Sequence, residues 1–249
     1  MIFNMKKLII TTLILIFALV FVKLAFADEF QYQVFYKTSK SDYNYNARDE
    51  KILFIVDFSN SMNDKLGAKT KLEMALETIE DLLSKIPADV QIGLRVYGQR
   101  PGITYVDGCT ATKLLVPMGR NNREEIKEAL YKTRAQGWTP ITYSLKQAVN
   151  KDFAGIEGPK KIILLTDGGE NCDESPCTYS ISLMKDSDDI KIDVIALDIY
   201  DMEANNQLRC SAYTTRGKFY QANDKKELEE SLKDSFNVDK EVKGTIRVK

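Results

Sequence analysis

The sequence predicts one α/β domain built on an open, mostly parallel, doubly wound sheet, with helices on both faces and one antiparallel edge strand. Three observations carry this. A short, wholly apolar run rich in branched residues occurs at 52–56, and 161–166 repeats its character, as expected of strands covered on both faces. Between the strands lie segments whose apolar residues recur three and four apart, and such alternation makes a parallel sheet flanked by helices. The strands at 90–97 and 113–116 are joined by a loop with three glycines and a proline and no helical period, so that pair is antiparallel.

In chain order, residues 1–27 read as an export signal. Lys6 and Lys7 precede an apolar run at 8–22, and Ala25-Phe26-Ala27 fits the small-x-small cleavage pattern. The run is short for a membrane span, which needs about 20 residues, and Lys23 interrupts it. Cleavage after Ala27 is expected; an uncleaved N-terminal anchor is the alternative and the only route to a membrane. Residues 28–50 form a polar, Tyr-rich extension, read as a linker or as an added edge strand around 31–36. The domain proper is expected over 51–237. After the 52–56 strand, Leu72, Ala75, Leu76, Ile79, Leu82, Leu83 and Ile86 stripe a helix at 70–86, which Pro87 stops. Strands at 90–97 and 113–116 follow. A helix at 123–134 carries Ile126, Ala129 and Leu130 on one face, with Gly137 ending it. Helices at 141–153, 178–187, 207–214 and 224–236 then alternate with strands at 161–166, 192–199 and 218–221. The tail, 238–249, holds a further edge-strand pattern.

The chain's 249 residues are 44% hydrophobic and 29% charged, which excludes a disordered or fibrous class. Formal net charge is −1. Removing the first 27 residues removes three lysines and no acid, leaving 32 bases against 36 acids. No nucleic-acid surface is expected from that balance. There is no histidine, which excludes Ser-His-Asp and Cys-His catalysis and His-ligated zinc. Export leads to an oxidising compartment, periplasmic or secreted, with the cell surface a further option. Cys109, Cys172, Cys177 and Cys210 therefore read as two disulfides. Of the three connectivities, pairing Cys172 with Cys177 leaves Cys109 with Cys210. Its rival pairs Cys109 with Cys172 and Cys177 with Cys210.

The chemistry gathers at strand ends. The first strand runs into Asp57-Phe58-Ser59-Asn60-Ser61. Ligands of open α/β sheets bind just beyond the carboxyl ends of strands. A D-x-S-x-S loop there offers one carboxylate and two hydroxyls, hard oxygens that suit Mg²⁺. Alone, the pattern reads more readily as a helix N-cap run. Two more loops change the balance. Gly137-Trp138-Thr139-Pro140 puts a threonine just before a helix, and the strand at 161–166 ends in Asp167-Gly168-Gly169. Parallel topology brings both aspartates and Thr139 to one sheet edge.

This set resembles the von Willebrand factor A domain with its metal-ion-dependent adhesion site. The matching residues are Asp57, Ser59 and Ser61, Thr139 in G-x-T-P, and Asp167 in T-D-G, and the likeness runs from about Lys51 to Phe236 in the family's element order. It is nearest to exported bacterial members with four cysteines, on Tyr97-Gly98, Cys109-Thr110, 166–172, Pro176-Cys177 and 208–210. The resemblance implies a Rossmann-like fold. It implies that Asp57, Ser59 and Ser61 hold a divalent ion, with Thr139 and Asp167 acting directly or through water. Mg²⁺ is the expected ion, with Mn²⁺ or Ca²⁺ as alternatives. It further implies an open coordination position, filled by an Asp or Glu of a protein partner. Two carboxylates leave a dication near neutral, so a third is not repelled. Asn60 departs from the family's usual glycine, a position where Asn tolerates positive φ. Thr215-Arg216-Gly217 departs from Thr-Gly-Gly.

Trp138 reads either as local core under its loop or as an exposed anchor at the partner-binding rim. Glu170, with Asp173 and Glu174, reads either as a solvated loop or as an acidic rim biasing partner choice or binding Ca²⁺ weakly. Three functions compete: a metal-dependent binding module, a metal-dependent hydrolase, and a site whose ion only staples loops. The binding module is the expected function and no enzymatic activity is expected, because no histidine base and no phosphate-cradling glycine motif is present.

Overall fold

The computed structural model describes residues 50–236 except 88 and 188. The signal at 1–27, the extension up to 49 and the tail at 238–249 lie outside the described residues. In order, the elements are β1 (Lys51–Asp57), β2 (Lys65–Leu66), β3 (Lys69–Thr70), α1 (Lys71–Leu83), β4 (Gln91–Tyr97), α2 (Tyr105–Cys109), β5 (Thr112–Gly119) and α3 (Arg123–Lys132). Then come α4 (Ile141–Gln147), β6 (Lys160–Thr166), α5 (Pro176–Asp186), β7 (Ile190–Leu197), α6 (Met202–Thr214), β8 (Phe219–Ala222) and α7 (Lys225–Phe236). A π-helical turn, Ala148–Asp152, continues α4.

Six strands make one sheet in the order β5-β4-β1-β6-β7-β8. Every neighbouring pair is parallel except β4 with β5, as the helix-poor connection requires. Successive side chains of a strand face opposite sides. Accordingly, Ile52, Phe54 and Val56 enter one core with α1, α3 and α7, and Leu53 and Ile55 enter a second with α4, α5 and α6. Helices therefore cover both faces of the sheet.

The differences from the sequence reading have local causes. The loop after β4 does contain a helix, α2. It is five residues long, too short to show a period, and Thr104 caps it by accepting from Asp107 N at 3.2 Å. Helix α3 ends at Lys132, before an extended Thr133, so Gly137 does not terminate it. Helix α6 starts five residues earlier than its apolar pattern, because Asp201 caps it through Ala204 N at 2.8 Å. Strand β5 extends through Pro117, which lies at a register shift on a sheet edge, where a missing N–H costs nothing. Strand β7 stops before Asp198, whose φ is +57°. Asn60 is not among the positive-φ residues; it opens a 3-10 turn, Asn60–Asn63, so this loop does not need the glycine that the family usually has there.

At the sheet edge away from Asp57, buried Lys161 donates to Ser235 O at 2.9 Å and lies 3.4 Å from Glu50. The two ends of the described domain thus meet opposite the carboxyl ends of the strands.

Candidate metal site

Strand β1 ends in Asp57, which is fully buried. Its Oδ1 accepts from Ser59 N at 2.6 Å, and its Oδ2 from Tyr97 OH at 3.0 Å and Thr166 Oγ1 at 2.8 Å. Ser59 Oγ lies 3.1 Å from Ser61 Oγ, which donates to Asp167 Oδ1 at 2.7 Å. Four of the five expected residues are therefore joined in one hydrogen-bonded chain. The fifth, Thr139, is buried but is not part of that chain; its N–H donates to Asn171 Oδ1 at 2.8 Å, in the loop that follows Asp167.

Backbone bonds pull these loops together. Asn60 N donates to Gly137 O at 3.0 Å, Gly137 N to Gly98 O at 2.8 Å, and Phe58 N to Tyr97 O at 2.8 Å. The approach is too close for side chains. A Cβ on Gly98, whose φ is +70°, would lie 2.5 Å from Ser59 N, and one on Gly137 would lie 2.3 Å from Arg100 O. Glycine is required at both. Gly137 thus serves the site loop, by seating Ser59 and Thr139.

The electrostatics of the group are unfavourable for two anions. Burial, and then the charge of Asp167, push the Asp57 carboxyl up to about 6 from 3.8, although hydrogen bonds from Ser59 and Thr166 partly offset this. Burial likewise raises Asp167, against the Ser61 hydrogen bond and the Lys71 charge. Burial, then the Asp57 charge, holds the Tyr97 phenol well above its ordinary value, so Tyr97 remains a donor. Asp167 Oδ2 is buried with no hydrogen bond and has only an ion pair with Lys71 Nζ at 3.2 Å. Two buried carboxylates with neighbouring hydroxyls, and one lysine shared with Asp198, form a hard-oxygen donor set short of positive charge. That is the chemistry a small dication fits. Among the described residues no group of three or more Asp, Glu, His or Cys is placed to hold a metal, so any ion here relies on hydroxyls and water.

The surrounding residues divide by role. Trp138 is half-buried beneath α2, with the Tyr105 ring edge-on at 5.4 Å and Gly108 against its face. The exposed apolar surface on that side belongs instead to Ile103, 93% exposed, and Val106, 70% exposed. Glu170 turns inward: Oε2 accepts from Thr142 N at 2.7 Å and Oε1 from Cys172 N at 3.0 Å, which satisfies a free N–H in the first turn of α4. Asp173 accepts from Tyr105 OH at 2.7 Å, and Glu174 pairs with Lys146 at 2.7 Å. The three acids are thus engaged separately. The disulfides are Cys109–Cys172 and Cys177–Cys210. The first ties α2 to the loop carrying Asp167; the second ties α5 to α6.

The sequence assigns no site role to Tyr97, Thr166, Asn171 or Lys71, although the first three lie in the pieces that carry the resemblance. Tyr97 and Thr166 close apolar strand runs and read as core. Asn171 sits in a loop where a polar residue is unremarked. Lys71 opens a helix and reads as solvated.

The family model described as "von Willebrand factor type A domain" matches residues 51–234. Two Bacillus subtilis proteins are similar: YwmD, 25% identical over 189 residues covering 74% of this chain and 83% of its own, and YwmC, 28% identical over 182 residues covering 72% and 79%. Among solved structures, mussel byssus proximal thread matrix protein 1 with a zinc-occupied MIDAS motif aligns with TM-score 0.56 at 21% identity. The alignment covers 75% of this chain and 44% of that one. The pilus adhesin SpaC of Lactobacillus rhamnosus GG aligns with TM-score 0.60 at 16% identity, covering 75% and 30%. This chain thus spans under half the length of either structure, and at such identities the likeness concerns the fold alone. With the family match covering nearly the whole described domain and the sheet order in agreement, this chain belongs to the von Willebrand factor type A domain family.

Proposed function

We propose that this chain is an exported binding module that captures a protein partner through a divalent ion, Mg²⁺ first among candidates, held by Asp57, Ser59, Ser61, Thr139 and Asp167. The observation that carries the reading is the pairing of two buried carboxylates, each with a raised pKa, beside two seryl hydroxyls, with Lys71, among the described residues, the one cation at Asp167 Oδ2. A dication relieves their mutual repulsion. The zinc-occupied site of the byssus protein and the adhesive role of SpaC, both members of this fold, support the direction of the proposal.

Each residue has a part in it. Tyr97 and Thr166 hold Asp57 Oδ2, and Ser59 N holds Oδ1, so the carboxylate is pre-oriented. Asn171 and the bonding of Gly137 to Gly98 set Thr139. The Cys109–Cys172 disulfide keeps α2 and the Asp167 loop in register. Bound here, the ion supplies a directional anchor for an incoming Asp or Glu. Ile103 and Val106 on one flank, and exposed Tyr200 and Met202 in the connection from β7 into α6 on another, add apolar area for a partner whose acid is flanked by apolar side chains. The hydroxyls and carboxylates are engaged in holding the site, and we assign the chain no catalysis. Two disulfides suit a chain destined for a periplasmic or extracellular location.

Affinity capture from the exporting cell's envelope tests this, with Mg²⁺ or with chelator, using wild type and Asp57→Ala. A partner captured only by wild type with Mg²⁺ supports the module. Identical captures in all four conditions refute it. Capture that Asp57→Ala loses in both buffers leaves the ion a structural staple. Hydrolysis of an ester or phosphate that depends on Asp57 favours the enzyme.

A further inference from the structure

Lys71 is placed against the usual rules. It is the first residue of α1, where the helix dipole disfavours a cation, and its side chain is only 10% exposed. The ribbon β2–β3 and the bond from Lys71 N to Asp64 O at 2.9 Å bring it there. Its Nζ lies 3.2 Å from Asp167 Oδ2 and 3.3 Å from Asp198 Oδ2. One ammonium therefore bridges a proposed ligand and a carboxylate at the end of the neighbouring strand.

We infer that Lys71 is a charge-balancing residue that decides whether the loaded site accepts a carboxylate. The inference rests on the metal reading above. Asp57, Asp167 and Asp198 carry three negative charges. A dication and Lys71 return three positive ones, so the loaded group is neutral. Asp64, exposed to solvent, is screened and left out of this sum. Without Lys71 the loaded group is net negative. The ion is then held more tightly and an incoming acid is repelled. A purely structural lysine gives a different signature, because its loss disorders Asp167 and weakens both steps.

The test uses Mn²⁺ as probe ion and acetate as probe carboxylate. Calorimetry reads Mn²⁺ affinity, and water-proton relaxation by bound Mn²⁺ reads acetate uptake. A unit charge removed beside a partly buried ion changes affinity by roughly tenfold. Lys71→Met is expected to bind Mn²⁺ about tenfold more tightly and acetate about tenfold more weakly, and to unfold at lower urea in chelator. Asp198→Asn shifts both affinities the other way, and the double variant returns both to wild type. Loss of both affinities in Lys71→Met, or unchanged acetate uptake, overturns the inference. Asp198→Asn keeps the decision available if Lys71→Met does not fold, since failure of its two affinities to move oppositely also overturns it. A wild type that binds no Mn²⁺ overturns the metal reading as well; a wild type that binds both probes, with no crossing in the variants, overturns only the role of Lys71.

Discussion

Replacing Asp57 by Asn should make the ion-free protein more stable. The Asp57 carboxyl is raised from 3.8 to about 6, and each unit corresponds to about 1.4 kcal/mol. Holding it ionised at pH 7 therefore costs about 3 kcal/mol. Asparagine removes that charge but puts an amide nitrogen where Oδ2 accepts from both Tyr97 OH and Thr166 Oγ1. Both hydroxyls must turn, at about 1 kcal/mol each. The net expectation is a gain of about 1 kcal/mol in chelator at pH 7, or about 2–4 °C in Tm for a domain of this size. The pH dependence follows from the same shift. A folded-state pKa above the unfolded value means that the penalty from Asp57 is absent below about pH 4 and is incurred as pH rises through 6. The variant's advantage should thus close by pH 4. Excess Mg²⁺ should stabilise wild type and leave the variant unchanged. Urea unfolding at both pH values, with and without Mg²⁺, measures all of this. A variant less stable than wild type at pH 7 in chelator, or a gap that ignores pH, would refute the reasoning.

Three further outcomes follow from the packing. Gly137→Ala puts a Cβ 2.3 Å from Arg100 O; the site loop must shift, and calorimetry should show Mg²⁺ affinity lost with folding retained in circular dichroism. Replacing both Cys109 and Cys172 by Ala opens a loop with a sequence separation of 63, which chain entropy values at about 4 kcal/mol; a loss under about 1 kcal/mol in urea unfolding would contradict it. Ile103→Ser with Val106→Ser removes exposed apolar area beside the site, so partner capture should weaken while Mg²⁺ affinity and Tm stay unchanged.

Much of this molecule is legible in its sequence because burial leaves a strong mark. Strands β1 and β6 are covered on both faces, so nearly every position must be apolar, and no other element reads that way. The two aspartates that end or directly follow those strands are conspicuous for the same reason. Legibility fails where the determinant is a contact between distant segments. Helix α2 is stabilised by its cap and by packing on Trp138, neither of which has a period. Gly137 reads as a helix terminator, yet its lack of a side chain is required by Arg100, 37 residues earlier. The disulfide pairing depends on which loops share a sheet edge, and spacing alone left two arrangements open. Lys71 was passed over because a lysine at a helix start ordinarily faces water; only the fold brings Asp167 and Asp198 to it. Glu170 shows the opposite case: an acidic loop residue reads as solvated or as part of a binding rim, while its two oxygens are bound to backbone N–H groups.

The central claim is that Asp57, Ser59, Ser61, Thr139 and Asp167 hold one divalent ion. Calorimetric titration of the chelator-treated protein with Mn²⁺, on wild type and on Asp57→Ala, Ser61→Ala and Asp167→Ala, tests it most directly. The account predicts one ion per chain in wild type and lost or severely weakened binding in each variant. Absence of binding in wild type, or binding that survives all three substitutions, would contradict it.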